Sequence, residues 1–392
     1  MNRARLGLVS LSLLAACAAA APVAKVPEAA RTPSEQILVE SWPVETSLDH
    51  PSVPDAKDVW KQLVAGAKSR VDLAEFYLSD KDPSALHDVV GELLAAADRG
   101  VAVRLLVEEQ FLAKYPETVE LFAKHRGFSV RHFDRRATMG GILHAKYFVV
   151  DGAVAYVGSQ NFDWRSLEHI QELGVELRSP AAVKAVSELF EADWDVEGGA
   201  AAPRYAAMQW PSFPERVANG AVTIGASPRG YLHDEASWDL PMLVRRIDGA
   251  TRRLRIQVLT YKPKFRDGSA FTTLDDALRR ALGRGVRVTM IVSSWNEKEP
   301  ALLELARAGA EVNVMTIPPA STGEIPFARV VHAKFALFDD DAAWIGTSNW
   351  EGDYFEKSRN VSVFLDGAAL AAPVAAIFDG DSASPYVRRL TP

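Results

Sequence analysis

Apolar and polar positions along this chain alternate between helical and strand periods, and they do so twice in the same order. Val59, Leu63, Val64 and Ala67 recur at helical spacing and predict a helix over 55–67. A compact apolar run predicts a strand over 71–78, and helical spacing returns over 84–97 until Arg99-Gly100 stops it. A strand over 101–107, a helix over 117–125 and a strand over 128–133 follow. Beyond a hairpin, a strand over 172–177 and a helix over 180–194 close the first train. The stretch 198–214, rich in Gly, Ala and Pro, reads as a linker. The order then returns: helix 239–250, strand 254–261, helix 274–282, strand 286–292, helix 300–308, strand 311–315 and a second hairpin. Arg284-Gly285-Val286 repeats Arg99-Gly100-Val101. This internal duplication predicts an α/β fold of two tandem α-β-α halves, 51–197 and 217–392, joined by a linker over 198–216. Each half is expected to hold a mixed, mostly parallel sheet flanked by helices, and the halves to face each other across a pseudo-two-fold.

The two hairpins carry the chemistry. In the first, His144 and Lys146 are two positions apart and leave the same face of a strand. Asp151-Gly152 is a strong turn signal. A two-residue loop there sets Ser159 opposite His144 and brings Gly158 and Asn161 to the same strand end. The second hairpin repeats this spacing with His332, Lys334, Asp339, Gly346, Thr347 and Asn349, and its turn is Asp339-Asp340.

Both copies match the pattern H-x-K-x4-D-x6-G-[ST]-x-N, and in this the chain resembles the phospholipase D superfamily. The resemblance runs from about residue 50 to the end. It is nearest to the branch of animal lysosomal 5'-exonucleases and poxvirus envelope relatives, through Leu73 to Leu78, Asp163 to Leu167, Glu172 to Val175 and Gly346 to Phe355. The resemblance implies a catalytic set of His144, Lys146, Asp151, His332, Lys334 and Asp339, with one histidine forming a phosphohistidine and the other acting as acid and then base. We assign His144 as nucleophile and His332 as acid by analogy, and the near-symmetric motifs leave the reverse open. The two lysines would hold non-bridging phosphoryl oxygens, and Ser159, Asn161, Thr347 and Asn349 would supply further donors. Asp151 and Asp339 fall at the turns, where aspartate commonly caps, and read as structural despite their place in the signature. The family places a carboxylate after each motif to fix the imidazole. Glu172 sits there in the first half and is expected to serve His144; the matching residue in the second half, expected to serve His332, is the amide Asn360.

Two histidines, one neutral and one protonated, with cations around the phosphoryl group, suit diester cleavage without a cofactor or metal. No Cys/His cluster points to zinc and no carboxylate set to a two-metal site. His50, His87, His125, His132, His169 and His233 have no matched partner in the repeat. Trp164, Trp295 and Trp350 read as core, or, for Trp164 and Trp350, as walls of the cleft.

Composition narrows the substrate. The chain has 392 residues, 48% hydrophobic and 24% charged, as in a globular protein. A net charge of -7 argues against a broad basic face for long duplex nucleic acid. The resemblance to the exonuclease branch implies single-stranded nucleic acid ends as the favoured phosphodiester; envelope phospholipids are the alternative, and a non-catalytic phosphate-binding scaffold is a third. Arg3 and Arg5 precede an apolar run that ends Leu14-Ala15-Ala16-Cys17, which resembles a bacterial lipoprotein box. Residues 1–17 then form a lipoprotein signal peptide with its lipid on Cys17, and 18–50 a tether and lead-in. The expected location is the bacterial envelope, lipid-anchored to the membrane on the periplasmic side of the outer membrane.

Overall fold

The computed structural model describes residues 36–200 and 204–391. Cys17, the signal segment and most of the tether lie outside the described residues. The duplication expected from the periods is present. The first sheet runs, edge to edge, Gln36–Ser41, Glu172–Leu177, Val154–Gly158, Tyr147–Val150, Arg70–Glu75, Ala102–Glu108, Phe128–Phe133. The second runs Glu215–Val217, Gly220–Ser227, Asn360–Asp366, Ala342–Gly346, Phe335–Phe338, Arg253–Val258, Arg287–Ser293, Glu311–Met315, Val387–Arg389. Both sheets are mixed, but the expectation of mostly parallel strands is corrected. Only the three strands Arg70–Glu75, Ala102–Glu108 and Phe128–Phe133, and their counterparts from Arg253 to Met315, run parallel. Helical crossovers force parallel pairing on those three. The motif hairpin and the strands beyond it add antiparallel neighbours, because a short turn can only return the chain antiparallel.

Two strands that flank the orienting strands escape the sequence reading. Gln36–Ser41 lies inside the segment assigned to tether and lead-in, and it pairs with Glu172–Leu177 so that Ser41 faces Glu172. Gly220–Ser227 pairs with Asn360–Asp366 so that Ser227 faces Asn360. Its Gly-Ala-Val-Thr-Ile-Gly-Ala-Ser composition carries little strand signal, and burial between a helix and a sheet decides its state.

The hairpin turns also differ from expectation. Val150 pairs with Val154 and Phe338 with Ala342, so each loop has three residues, not two. Asp151 and Gly152 have φ of 55° and 64°, and Asp339 and Asp340 of 51° and 75°, a left-handed start that turns each aspartate back toward the preceding strand. The register moves by one residue, and Ser159 is not directly opposite His144.

Strands buried on both faces separate three cores. Leu73, Leu105 and Phe148 pack outward under the helices Ala56–Ala65, Ala85–Asp98 and Glu117–Lys124. Leu254, Ile256 and Val258 pack outward under Asp239–Gly249, Thr273–Gly283 and Pro300–Arg307. The middle core is shared by both halves. The long helices Pro180–Glu197 and Ala368–Ala383 fill it, and Val157, Leu173 and Val175 of one sheet join Ile345, Val361 and Val363 of the other. The sheet ends meet directly at the site side of this layer, where Val154–Gly158 and Glu172–Leu177 approach Ala342–Gly346.

Candidate active site

Each motif histidine is held by the opposite half. Leu143 forms a parallel bridge with Arg359, and His144 N and Ala145 N donate to Arg359 O at 2.9 and 2.8 Å. The mirror contact is made by Gln171, whose carbonyl accepts from His332 N at 2.9 Å and Ala333 N at 3.0 Å. The next residue on each supporting strand takes the ring. Asn360 Oδ1 lies 3.1 Å from His144 Nδ1, and Glu172 Oε2 lies 2.7 Å from His332 Nδ1. The pairing is therefore crossed. The expectation that Glu172 serves His144 and Asn360 serves His332 is corrected: the strand end of one half projects toward the motif of the other, so each orienting group finds the distant histidine.

The crossing fixes the tautomers. Asn360 Nδ2 donates to Tyr354 O at 2.7 Å and Ser358 O at 3.4 Å, both obligatory acceptors, so its oxygen faces His144. His144 must carry its proton on Nδ1, and Nε2 is left for the site. His332 presents Nε2 likewise, with Nδ1–H donating to Glu172.

Lys146 and Lys334 each donate to the carbonyl of their own motif histidine, which leaves two N–H groups on each ammonium for a ligand. Charges from both halves converge. Burial pushes the His144 imidazole well below the usual histidine range, and Lys146, Lys334 and His332 push the same way. Burial, then Lys334 and Lys146, lowers His332. Burial and Lys334 drive Lys146 far down, and burial brings Lys334 to about 7 against the pull of Glu172. Burial raises Glu172 to about 7, opposed by Lys334 and the hydroxyls of Ser159 and Ser166. The charged form of both lysines is disfavoured by burial, and for Lys146 also by Lys334, so an entering phosphoryl group would favour it.

Ser159 and Thr347 do not reach into the site as phosphate donors. Thr347 Oγ1 donates to Asn360 Oδ1 at 2.8 Å and accepts from Val361 N at 3.1 Å. Ser159 Oγ accepts from Leu173 N at 3.1 Å, and its hydroxyl favours the charged form of Glu172. Both hydroxyls are buried and serve the orienting group, because the strand that carries that group runs beside the motif strand of its own half. Asn161 and Asn349 are buried, and the amide oxygen of each has no partner. Asp151 accepts from the N–H groups of Lys68, Ser69 and Arg70 at 2.7 to 2.9 Å, and Asp339 from those of Thr251, Arg252 and Arg253 over the same span. Burial alone would raise Asp339, but these donors prevail and hold it at about 2. Both aspartates tie a turn to the start of the central strand and stand at the far end of the hairpin from the histidine.

Several residues at the site belong to no motif, although Glu75, Phe76 and Tyr354 fall within the stretches that carry the resemblance. Phe76 and Tyr354 flank the His144 ring at 5.2 and 4.6 Å between centroids. Glu75 is buried beside Lys146 with one oxygen unpartnered, and burial raises its pKa well above the usual range. Behind the supports, Arg359 makes a two-point pair with Asp193 at 2.8 and 2.9 Å, and Gln171 donates to Asp381 at 3.0 Å. Gln171 and Arg359 each precede an orienting residue in the repeat, which is the only signal by which they could be found. Trp350 is core, packed with Tyr261 and Trp344; Trp164 is partly buried under Lys81, and Trp295 is 54% exposed. Among the described residues, Glu40, Asp49 and Asp55 bring possible ligand atoms within 4.8 Å of one another, but Glu40 is committed to His50 and none belongs to the motifs. A concavity of about 700 Å³ lined by Trp210, Phe213, His233 and Arg246 also holds no motif residue.

Residues 61–194 and 243–382 match the family described as "Cardiolipin synthase, PLD-like domain". Phospholipase D Z of Dictyostelium discoideum is 31% identical over 380 residues, covering 89% of each chain. The 5'-3' exonuclease PLD3 of Homo sapiens is 32% identical over 401 residues, covering 90% of this chain and 80% of the relative. Among solved structures, phosphatidylserine synthase of Haemophilus influenzae Rd KW20 superposes with a TM-score of 0.61 at 14% identity over 85% of both chains. Polyphosphate kinase of Porphyromonas gingivalis gives 0.54 at 14% identity, over 88% of this chain and 50% of that one. These two share the fold.

Proposed function

The chain belongs to the phospholipase D superfamily and is a phosphodiester hydrolase, and from that premise we propose that it cleaves single-stranded nucleic acid ends through a phosphohistidine on His144. The observation that carries the mechanism is the crossed pairing of His144 with Asn360 and His332 with Glu172. A carboxylate stabilises an imidazolium and an amide does not, so His332 is the ring fitted to hold a proton and His144 the ring fitted to stay neutral. His144 Nε2 attacks phosphorus, the bond to the leaving oxygen breaks, and His332 Nε2–H protonates that oxygen. Water then attacks phosphorus with His332 Nε2 as base, and the bond to His144 breaks. Lys146 and Lys334 spread the charge developing on the non-bridging oxygens, and the amides of Asn161 and Asn349 add donors. The bound anion reverses the mutual repulsion of the two ammoniums, so both are charged when it is in place. The exonuclease relative supports the nucleic acid reading.

The experiment uses purified residues 18–392 with bis(4-nitrophenyl) phosphate. His332→Asn should release one equivalent of nitrophenol in a burst, since this leaving group needs no acid, and should retain the phosphoryl group on the peptide containing residue 144. His144→Asn should give no burst. A burst from His144→Asn with the label on residue 332, and none from His332→Asn, would reverse the roles. Single-stranded DNA oligonucleotides should be trimmed and phosphatidylcholine vesicles left intact; the opposite selectivity rejects the nuclease reading.

A further inference from the structure

Resting on that nucleic acid reading, we propose that the first half carries a stacking track for unpaired bases, leading from His144 outward to the exposed ring of Phe327. The rings form a continuous series. Phe76 lies against His144, and Phe111 lies 4.2 Å from Phe76. Tyr77 stacks on Phe111 at 5.9 Å and on Tyr115 at 4.8 Å. Lys114 then bridges Tyr115 at 5.1 Å and Phe327 at 4.6 Å. Phe327 is 59% exposed, so the outer end of the series is open to a ligand.

The fold itself does not require these rings. The duplication supplies an internal control. After its central strand the second half has Leu259 and Thr260 where the first has Phe76 and Tyr77. After the next strand it has Asn296 where the first has Phe111, and the Asn296 oxygen accepts from Tyr261 N at 2.8 Å. Among the described residues no aromatic ring packs on His332. The aromatic series therefore belongs to one side of the site only.

The second half contributes its outer end. The segment between Glu311–Met315 and His332 is longer than the segment between Phe128–Phe133 and His144, and it lies across the first half. Arg165 Nη1 donates to Pro326 O at 3.4 Å, and Arg329 N donates to His169 O at 2.8 Å. This sets Phe327 beside Lys114. Cations lie among the rings: Lys114 stands between Tyr115 and Phe327, and Lys81 sits 4.2 Å over Trp164, while the buried Arg165 is paired with Asp163 and serves to hold the segment in place. In a chain of net charge -7 these local lysines are complementary to an unpaired strand, whose bases stack on rings while its phosphates meet ammonium groups. Acyl chains would instead call for an apolar groove without interposed charges.

The test compares wild type, Phe327→Ala and Phe327→Trp on a single-stranded oligonucleotide, on the same oligonucleotide with abasic sites, and on bis(4-nitrophenyl) phosphate. Phe327→Ala should lose about ten-fold in kcat/KM on the normal oligonucleotide, mainly through KM, and Phe327→Trp should restore it. Wild type should cut the abasic strand about ten-fold more slowly, a preference that Phe327→Ala loses. Cleavage of bis(4-nitrophenyl) phosphate should not change. A wild type indifferent to the missing bases, or an equal loss on all three substrates in Phe327→Ala, overturns the track while leaving nuclease activity in place. A wild type that hydrolyses bis(4-nitrophenyl) phosphate but no oligonucleotide overturns the substrate reading and the track together.

Discussion

An amide beside one imidazole and a carboxylate beside the other divide two rings that the repeat makes otherwise equivalent. His144 and His332 share burial and the same pair of lysines, and both are depressed for those reasons. Only His332 has a carboxyl group, 2.7 Å away, whose ionised form can offset them. A carboxylate favours the imidazolium, so removing it lowers the pH at which His332 gives up its proton. Glu172→Gln should therefore shift the alkaline limb of the kcat profile to lower pH. The loss in kcat should be about 100-fold for an alkyl or nucleotide leaving group, and much smaller for 4-nitrophenol, which departs without a proton. Equal losses on both substrates would mean that Glu172 only holds the ring in place. The two residues that the sequence reading named by position each lie beside a motif imidazole. That reading attached each to the wrong histidine, because the spacing within one repeat says nothing about which half faces which motif.

The hairpin shows how an element can preserve a signature residue for reasons other than chemistry. Asp339 accepts from three successive backbone N–H groups and from Thr251 Oγ1, and so pins the turn to the start of the strand Arg253–Val258. His332 stands at the opposite end of that hairpin. Asp339→Ala should cost about 2 kcal/mol in urea unfolding, the scale for losing charged hydrogen bonds, while kcat per folded molecule stays near wild type. Since the folded carboxyl is held at about 2, below its unfolded value, its stabilisation is complete above about pH 4 and fades as pH falls toward 2. The gap between Asp339→Ala and wild type should narrow over that window; a large loss of kcat in folded protein would return Asp339 to the catalytic set. Helices and central strands were legible in the sequence because their periods are long and regular, as over Ala85–Asp98 and Ala102–Glu108. The hairpin register was not, because left-handed φ at Asp151 and Asp339 adds a third loop residue that the dipeptide signal does not count. Gly220–Ser227 was invisible because its small residues take strand form only from the neighbours that bury it.

At the scale of the whole molecule, the site exists only where the halves meet. Neither half holds its own histidine: Arg359 and Asn360 position His144, and Gln171 and Glu172 position His332. The supports reach further across, since Arg359 is anchored on Asp193 and Gln171 on Asp381, each on the long helix of the opposite half. The duplication was plain from the repeated periods and motifs, and the meeting of the motifs follows from a pseudo-two-fold. The crossing could not be read, because it depends on which strand ends abut, and no local pattern encodes that. The shared middle core, with Pro180–Glu197 and Ala368–Ala383 between the sheets, makes the pairing intramolecular and hard to open. Exchanging halves between two chains would expose that apolar layer before the partner could cover it. Full-length His144→Asn and His332→Asn proteins, each inactive on a nucleotide diester, should therefore remain inactive when mixed in equal amounts under native conditions. If the site were instead built between two chains, each bringing one motif, a mixed pair would contain one intact site and recover up to about a quarter of wild-type activity by random pairing. Mixing after joint unfolding and refolding separates the cases further. A site closed within one chain stays inactive after refolding, whereas exchange of halves during refolding would restore turnover in proportion to the swapped dimer seen by size exclusion.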